Sequence, residues 1–118
     1  MDLNHLHLHV RDVDRSREFY STYFGFTFTL SHGDISFLSN EHLFDLALAP
    51  DPAPDPLPAW FHFGFRLDSA DAVRGMREDM VTAGVAIAKE LIAKDDYVSF
   101  TCEDPDHHKI EVYWEPRY

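Results

Sequence analysis

The sequence predicts an α+β chain made of two βαβββ modules. Three observations carry this. Residues 3–10 alternate strictly, and a second alternating run begins at residue 60. A capped, amphipathic helical stretch follows each run and ends at a glycine. Between the halves, Pro50, Pro52, Pro54, Pro56 and Pro58 recur at every second position. The expected division is module one at 1–49, a proline-rich connector at 50–58 and module two at 59–118, all in one domain.

In the opening run Asn4, Leu6, Leu8 and Val10 share one face, and Leu3, His5, His7 and His9 share the other. A period of two means a strand. Asp12 or Asp14 offers an N-cap, and residues 15–24 read as a helix with Phe19, Tyr20, Tyr23 and Phe24 inward and Gly25 as its stop. Short β-like runs follow at 26–30, 35–38 and 43–48, separated by His32-Gly33-Asp34 and Ser39-Asn40-Glu41. The proline run suits neither a helix interior nor a central strand. Residues 60–67 then alternate, with Phe61, Phe63, Phe65 and Leu67 against His62, Gly64 and Arg66. Asp68 or Ser69 caps a second helix to about residue 83, with Val73, Met76, Met80 and Val81 at helical spacing and Gly84 as stop. Strands are expected at 85–88, 97–102 and 109–114, the last two joined by Asp104-Pro105-Asp106. His5 and His62 hold matching places in the two halves, so the chain carries an internal repeat.

Composition narrows the function. The 118 residues carry a formal net charge of −11, a poor basis for binding a phosphate backbone, so nucleic acid is not expected as a partner. No apolar run is long enough for a membrane span and no leader is evident. One cysteine, Cys102, excludes an internal disulfide and fits a reducing, cytoplasmic setting. Eight histidines in so short a chain point to metal chemistry if they are placed rather than merely numerous.

Parity tests placement. Opposite the apolar faces stand His5 and His7, then Asp45, then His62, then Glu111 and Tyr113. If the helices cover the apolar faces, these polar faces curl together into a cup. His5, His62 and Glu111, at expected strand centres, form a plausible divalent-metal set with open coordination positions, suiting Zn, Ni, Mn or Fe. His9, His32, His42, His107 and His108 are expected at the surface.

The residues Asn4-His5-Leu6 through Asp12, Arg15-Ser16 with Phe19-Tyr20, Phe24-Gly25-Phe26, His62-Phe63-Gly64-Phe65 and Asp104-Pro105-Asp106 through Glu111 resemble the vicinal oxygen chelate superfamily. That group includes glyoxalase I, extradiol dioxygenases, fosfomycin-resistance thiol transferases and bleomycin-resistance proteins. The resemblance spans essentially the whole chain. It implies a glyoxalase-like fold, a curled mixed sheet around a metal cup, with His5, His62 and Glu111 as ligands. Asp45 falls where glyoxalase I has a fourth ligand, one methylene longer. His107 replaces the family's usual glycine after Asp-Pro-Asp.

The resemblance implies an enzyme that chelates a small-molecule substrate through adjacent oxygens. Lyase or isomerase chemistry through an enediolate-like intermediate is the first expectation, with Glu111 or Asp45 as base and His7 as a proton shuttle. His9 stands where the family's glutathione enzymes have an arginine, which weakens a glutathione substrate. The alternative is an extradiol dioxygenase using Fe(II). Those enzymes carry a tyrosine ten residues before the final glutamate, where Thr101 stands here, and Tyr97 or His7 would have to replace it. A third possibility is a metal-free drug- or metabolite-binding protein of the bleomycin-resistance kind. Many relatives complete one cup from two chains, so a homodimer is expected, with Trp60, Phe61 and Trp114 supplying apolar contact area.

Overall fold

The computed structural model describes residues 1–117. The chain falls into two compact units, Met1–Pro56 and the segment from Leu57 onward, each with one helix and one open four-stranded mixed sheet. Neither sheet closes into a barrel.

The first unit runs β1 (His5–Val10), α1 (Val13–Phe24), β2 (Thr27–His32), β3 (Ile35–Ser39) and β4 (Asp45–Pro50). Asp12 caps α1 by accepting from the Arg15 backbone N–H, and Gly25 ends it with φ 70°. The strand order is β1-β4-β3-β2, with β1 parallel to β4 and the other pairs antiparallel. Leu8, Val10, Leu38, Leu46 and Leu48 share one face of that sheet and are buried, as are Phe19 and Tyr20 of α1, which packs on β4. Pro50, expected in the connector, is the last residue of β4. A strand end tolerates proline because the missing N–H costs no ladder bond there.

The second unit runs β5 (Phe63–Arg66), α2 (Ala70–Thr82), β6 (Ile87–Lys94), β7 (Tyr97–Glu103) and β8 (Lys109–Trp114). Ser69 caps α2, and Gly84 follows its end at φ 81°. The order β5-β8-β7-β6 repeats that of the first unit. Helix α2 packs on β6, β7 and β8, and Val73, Met80, Val98, Phe100, Cys102, Ile110 and Val112 are buried. Val81, expected inward, is exposed, because α2 buries a narrow stripe through Val73 and Met80. The opening strand is shorter than its alternation predicts. Residues 60–62 lie in a turn and a short extended stretch, so His62 stands one residue before β5 rather than at a strand centre. Likewise His5 is the first residue of β1. No helix among the described residues is long and apolar enough to cross a membrane.

Candidate metal centre

The second unit assembles a compact polar group. His62 Nε2 lies 3.4 Å from Glu111 Oε2, and the Tyr97 hydroxyl donates to Glu111 Oε1 at 2.5 Å. Each position has a local cause. Glu111 projects from the centre of β8, opposite Thr101 on β7 and beside Gly64 on β5. A Cβ at Gly64 would sit 3.0 Å from the Glu111 carbonyl oxygen, so glycine is what lets β5 approach β8 at this point. Trp60 fixes the His62 ring through its carbonyl oxygen, 3.1 Å from Nδ1. A carbonyl only accepts, so Nδ1 carries a hydrogen and Nε2 is the ring nitrogen turned toward Glu111.

Tyr97 is held as the neutral phenol. Burial first, and then its bond to Glu111, push its pKa above the ordinary value of 10. Glu111 thus has one oxygen tied by a permanent donor and the other turned to His62. Its side chain is 25% exposed, so a small ligand can reach it.

In the first unit His5 and Asp45 are direct partners in the β1–β4 register, and His7 and His9 share their face. His5 Nδ1 lies 2.9 Å from Asn4 Oδ1, so Nε2 is the ring nitrogen that this bond does not engage. His9 pairs with Asp51 at 3.0 Å, a bond that lowers the Asp51 pKa. The His7 and His9 rings lie 5.2 Å apart. Within neither unit, among the described residues, do three His, Cys, Asp or Glu side chains converge. Within the second unit, an imidazole nitrogen turned toward an oriented carboxylate is the kind of donor pair that a borderline divalent metal takes.

The turns before β4 and β8 show where Asp45 stands in the internal repeat. Asn40 Oδ1 accepts from the N–H groups of His42 and Phe44, and Asp104 Oδ1 from those of Asp106 and His108. Leu43 (φ 59°) and His107 (φ 70°) follow in left-handed backbone, and β4 and β8 begin at Asp45 and Lys109, each two residues later. The turns are therefore equivalent, and so are the strand positions. Counting along, Asp45 matches Lys109, and Ala47 takes the place of Glu111. The internal counterpart of the glutamate is an alanine. His108, expected at the surface, is buried, with Nδ1 2.7 Å from Asp104 Oδ2, because the turn folds back on its own first residue. Cys102 is buried, and burial pushes its thiol pKa up to about 12, so it is no nucleophile.

Tyr97, expected only as a replacement for a dioxygenase tyrosine, and Gly64, to which residue patterning gives no role, are the neighbours that set the position of Glu111. The signal for Tyr97 is its shared parity with Thr101, the strand partner of Glu111.

Comparison with known proteins agrees with this architecture. The chain is 29% identical over 117 residues to a 3-methylcatechol 2,3-dioxygenase of Pseudomonas putida, a match covering 95% of this chain and 39% of that protein. The chain thus spans well under half the length of that relative. A solved structure described as a possible glyoxalase from Bacillus cereus is 29% identical with a TM-score of 0.82, covering 95% of this chain and 97% of the other. The fosfomycin resistance protein FosX of Listeria monocytogenes is 19% identical with a TM-score of 0.85, over 98% and 94% of the two chains, a likeness of fold. The model of the Glyoxalase/Bleomycin resistance protein/Dioxygenase superfamily matches residues 2–112, and the chain belongs to that superfamily.

Proposed function

We propose that this protein is a divalent-metal-dependent enzyme in which His5, His62 and Glu111 are the ligands and a small-molecule substrate is held through two adjacent oxygens. The carrying observation is the pairing of His62 Nε2 with Glu111 Oε2 at 3.4 Å, each oriented by a second partner, Trp60 or Tyr97. A bound metal supplies Lewis acidity toward the two oxygens. Around it, Trp60 holds the His62 tautomer, and the neutral Tyr97 keeps one Glu111 oxygen hydrogen-bonded and its carboxylate fixed. A carboxylate tied in this way is a better ligand than a mobile base.

Ring cleavage by an Fe(II) dioxygenase is the chemistry best supported. Ala47 at the position matching Glu111 leaves a set of two histidines and one carboxylate, which suits Fe(II) with open positions. The Pseudomonas putida relative points the same way. Lyase or isomerase chemistry is the second reading, favoured by the Bacillus cereus structure. In it Asp45, which faces the same side as His5, is the base and His7 a proton shuttle. Titration of purified protein with Zn, Ni, Mn and Fe(II) is expected to give one bound ion per chain, with affinity falling at least tenfold in His62→Ala. Oxygen uptake with catechol and 3-methylcatechol under Fe(II) is then expected. Isomerisation of a hemithioacetal without oxygen uptake would replace the first chemistry by the second. Absence of binding for every metal would sink the enzyme reading in favour of a metal-free binding protein.

A further inference from the structure

Beside the His62–Glu111 pair the second unit holds a cavity of about 160 Å³, walled by Trp60, Ile92, Lys89 and Lys109 as well as Tyr97 and Glu111. An engineered cavity of about 150 Å³ accepts a benzene ring, so this one has room for a six-membered ring. Two of its walls are apolar and open: Trp60 is 76% and Ile92 50% exposed. The chain has three lysines, and two of them line this one cavity.

A bulged strand places Lys89. The β6–β7 register runs Lys89↔Thr101 and then Ile92↔Ser99, so β6 spends three steps where β7 spends two. The extra residue brings both Lys89 and Ile92 to the face that carries Glu111, where regular alternation would have turned Ile92 away. Glu90 holds the irregularity: its Oε1 accepts from the Leu91 N–H at 2.8 Å and from Arg77 Nε at 2.5 Å. Glu90 also lines the cavity, and the charge of its carboxylate is offset there by the ion pair with Arg77. Among the described residues no carboxylate lies within 4 Å of Lys89. Lys109 spends one donor on the Ala59 carbonyl at 2.8 Å and keeps two. Gly64, Glu111, Thr101 and Lys89 form one row across the sheet. At about 4.8 Å per strand, the Lys89 backbone lies roughly 10 Å from that of Glu111, within a ring's span once the side chains converge.

We propose that this cavity is a subsite for a carboxylate carried on a planar, apolar ring, with Lys89 as the principal anion contact and Trp60 and Ile92 as the ring walls. The two lysines outweigh the one unneutralised acid, Glu111, by a single charge, which suits a monoanion. The inference rests on the metal-enzyme reading for the role of the bound molecule, which would be an aromatic acid bearing adjacent oxygens. Its test does not use the metal. In protein stripped with EDTA, benzoate and benzamide are titrated while tryptophan fluorescence is followed. Benzoate is expected to bind at least tenfold more tightly than benzamide. That preference should fall at least fivefold in Lys89→Gln and stay unchanged in Lys94→Gln, a lysine of the same strand outside the cavity. Equal binding of benzoate and benzamide, an unaltered Lys89→Gln, or an equal loss in Lys94→Gln would overturn the subsite. Tighter binding of phenylphosphonate than benzoate would overturn the carboxylate assignment. A failed metal titration would leave this result standing, so the two readings fail separately.

Discussion

At the scale of single residues, Tyr97 matters most after the ligands themselves. Its hydroxyl anchors Glu111, and its pKa stands above 10 because it is partly buried and faces a carboxylate. Tyr97→Phe should leave the fold intact, destabilise it by about 1 kcal/mol, and weaken metal binding. The pH signature is specific. Because the folded-state pKa is raised, the stabilisation is fully present below the unfolded value of 10 and is lost as pH rises through the folded one. Urea midpoints between pH 8 and pH 11 should therefore fall less steeply in the variant, by about this one group's share. Identical slopes in both proteins would contradict the assignment. Gly64 is the complementary case: what matters there is the absence of a side chain, which no pattern of polar residues reveals.

Among the elements, the turn before β8, like the one before β4, carries a non-glycine residue in left-handed backbone. Asp104 gathers the N–H groups of Asp106 and His108 and the His108 ring, so the chain enters β8 in a defined register and Glu111 faces the site. His107 in that turn has φ 70°, a conformation costing a non-glycine residue roughly 1–2 kcal/mol. His107→Gly should stabilise the protein by ~0.5–1 kcal/mol after the entropy cost of glycine, seen as a rise of a few degrees in Tm. A lower Tm would mean that the His107 ring, 3.9 Å from Glu103, contributes more than the backbone strain costs. Helix caps and glycine stops were readable in advance because each acts within four residues. The β6 bulge was not, since it exists only as a mismatch between two strands.

For the molecule as a whole, the balance to weigh is apolar exposure against charge. Trp60, Leu30 and Ile92 are 76%, 47% and 50% exposed, while Phe61 and Trp114 are partly covered. A homodimer is expected, its contact area drawn from Leu30, Phe61 and Trp114 rather than from the cavity walls Trp60 and Ile92, and opposed by repulsion between two chains of net charge −11. Sedimentation at micromolar concentration should show dimer, with association tightening as salt rises from about 0.01 to about 0.15 M and screening takes hold. A monomer at both salt levels would remove the dimer.

The sequence by itself determined the two βαβββ halves, their caps and stops, the parity that sets His5, His7, Asp45, His62 and Glu111 against the apolar faces, and the superfamily. These are readable because hydrophobic period, capping and strand alternation are local. Tertiary structure decided the rest. It shortened the strand after His62, buried His108, tied Tyr97 to Glu111, and matched Glu111 with Ala47 rather than Asp45. That last match supports the proposed Fe(II) dioxygenase over the lyase or isomerase chemistry expected first from the sequence. Each of these depends on which residues stand across from one another on neighbouring strands, and register is a relation between distant segments that no single stretch of sequence contains.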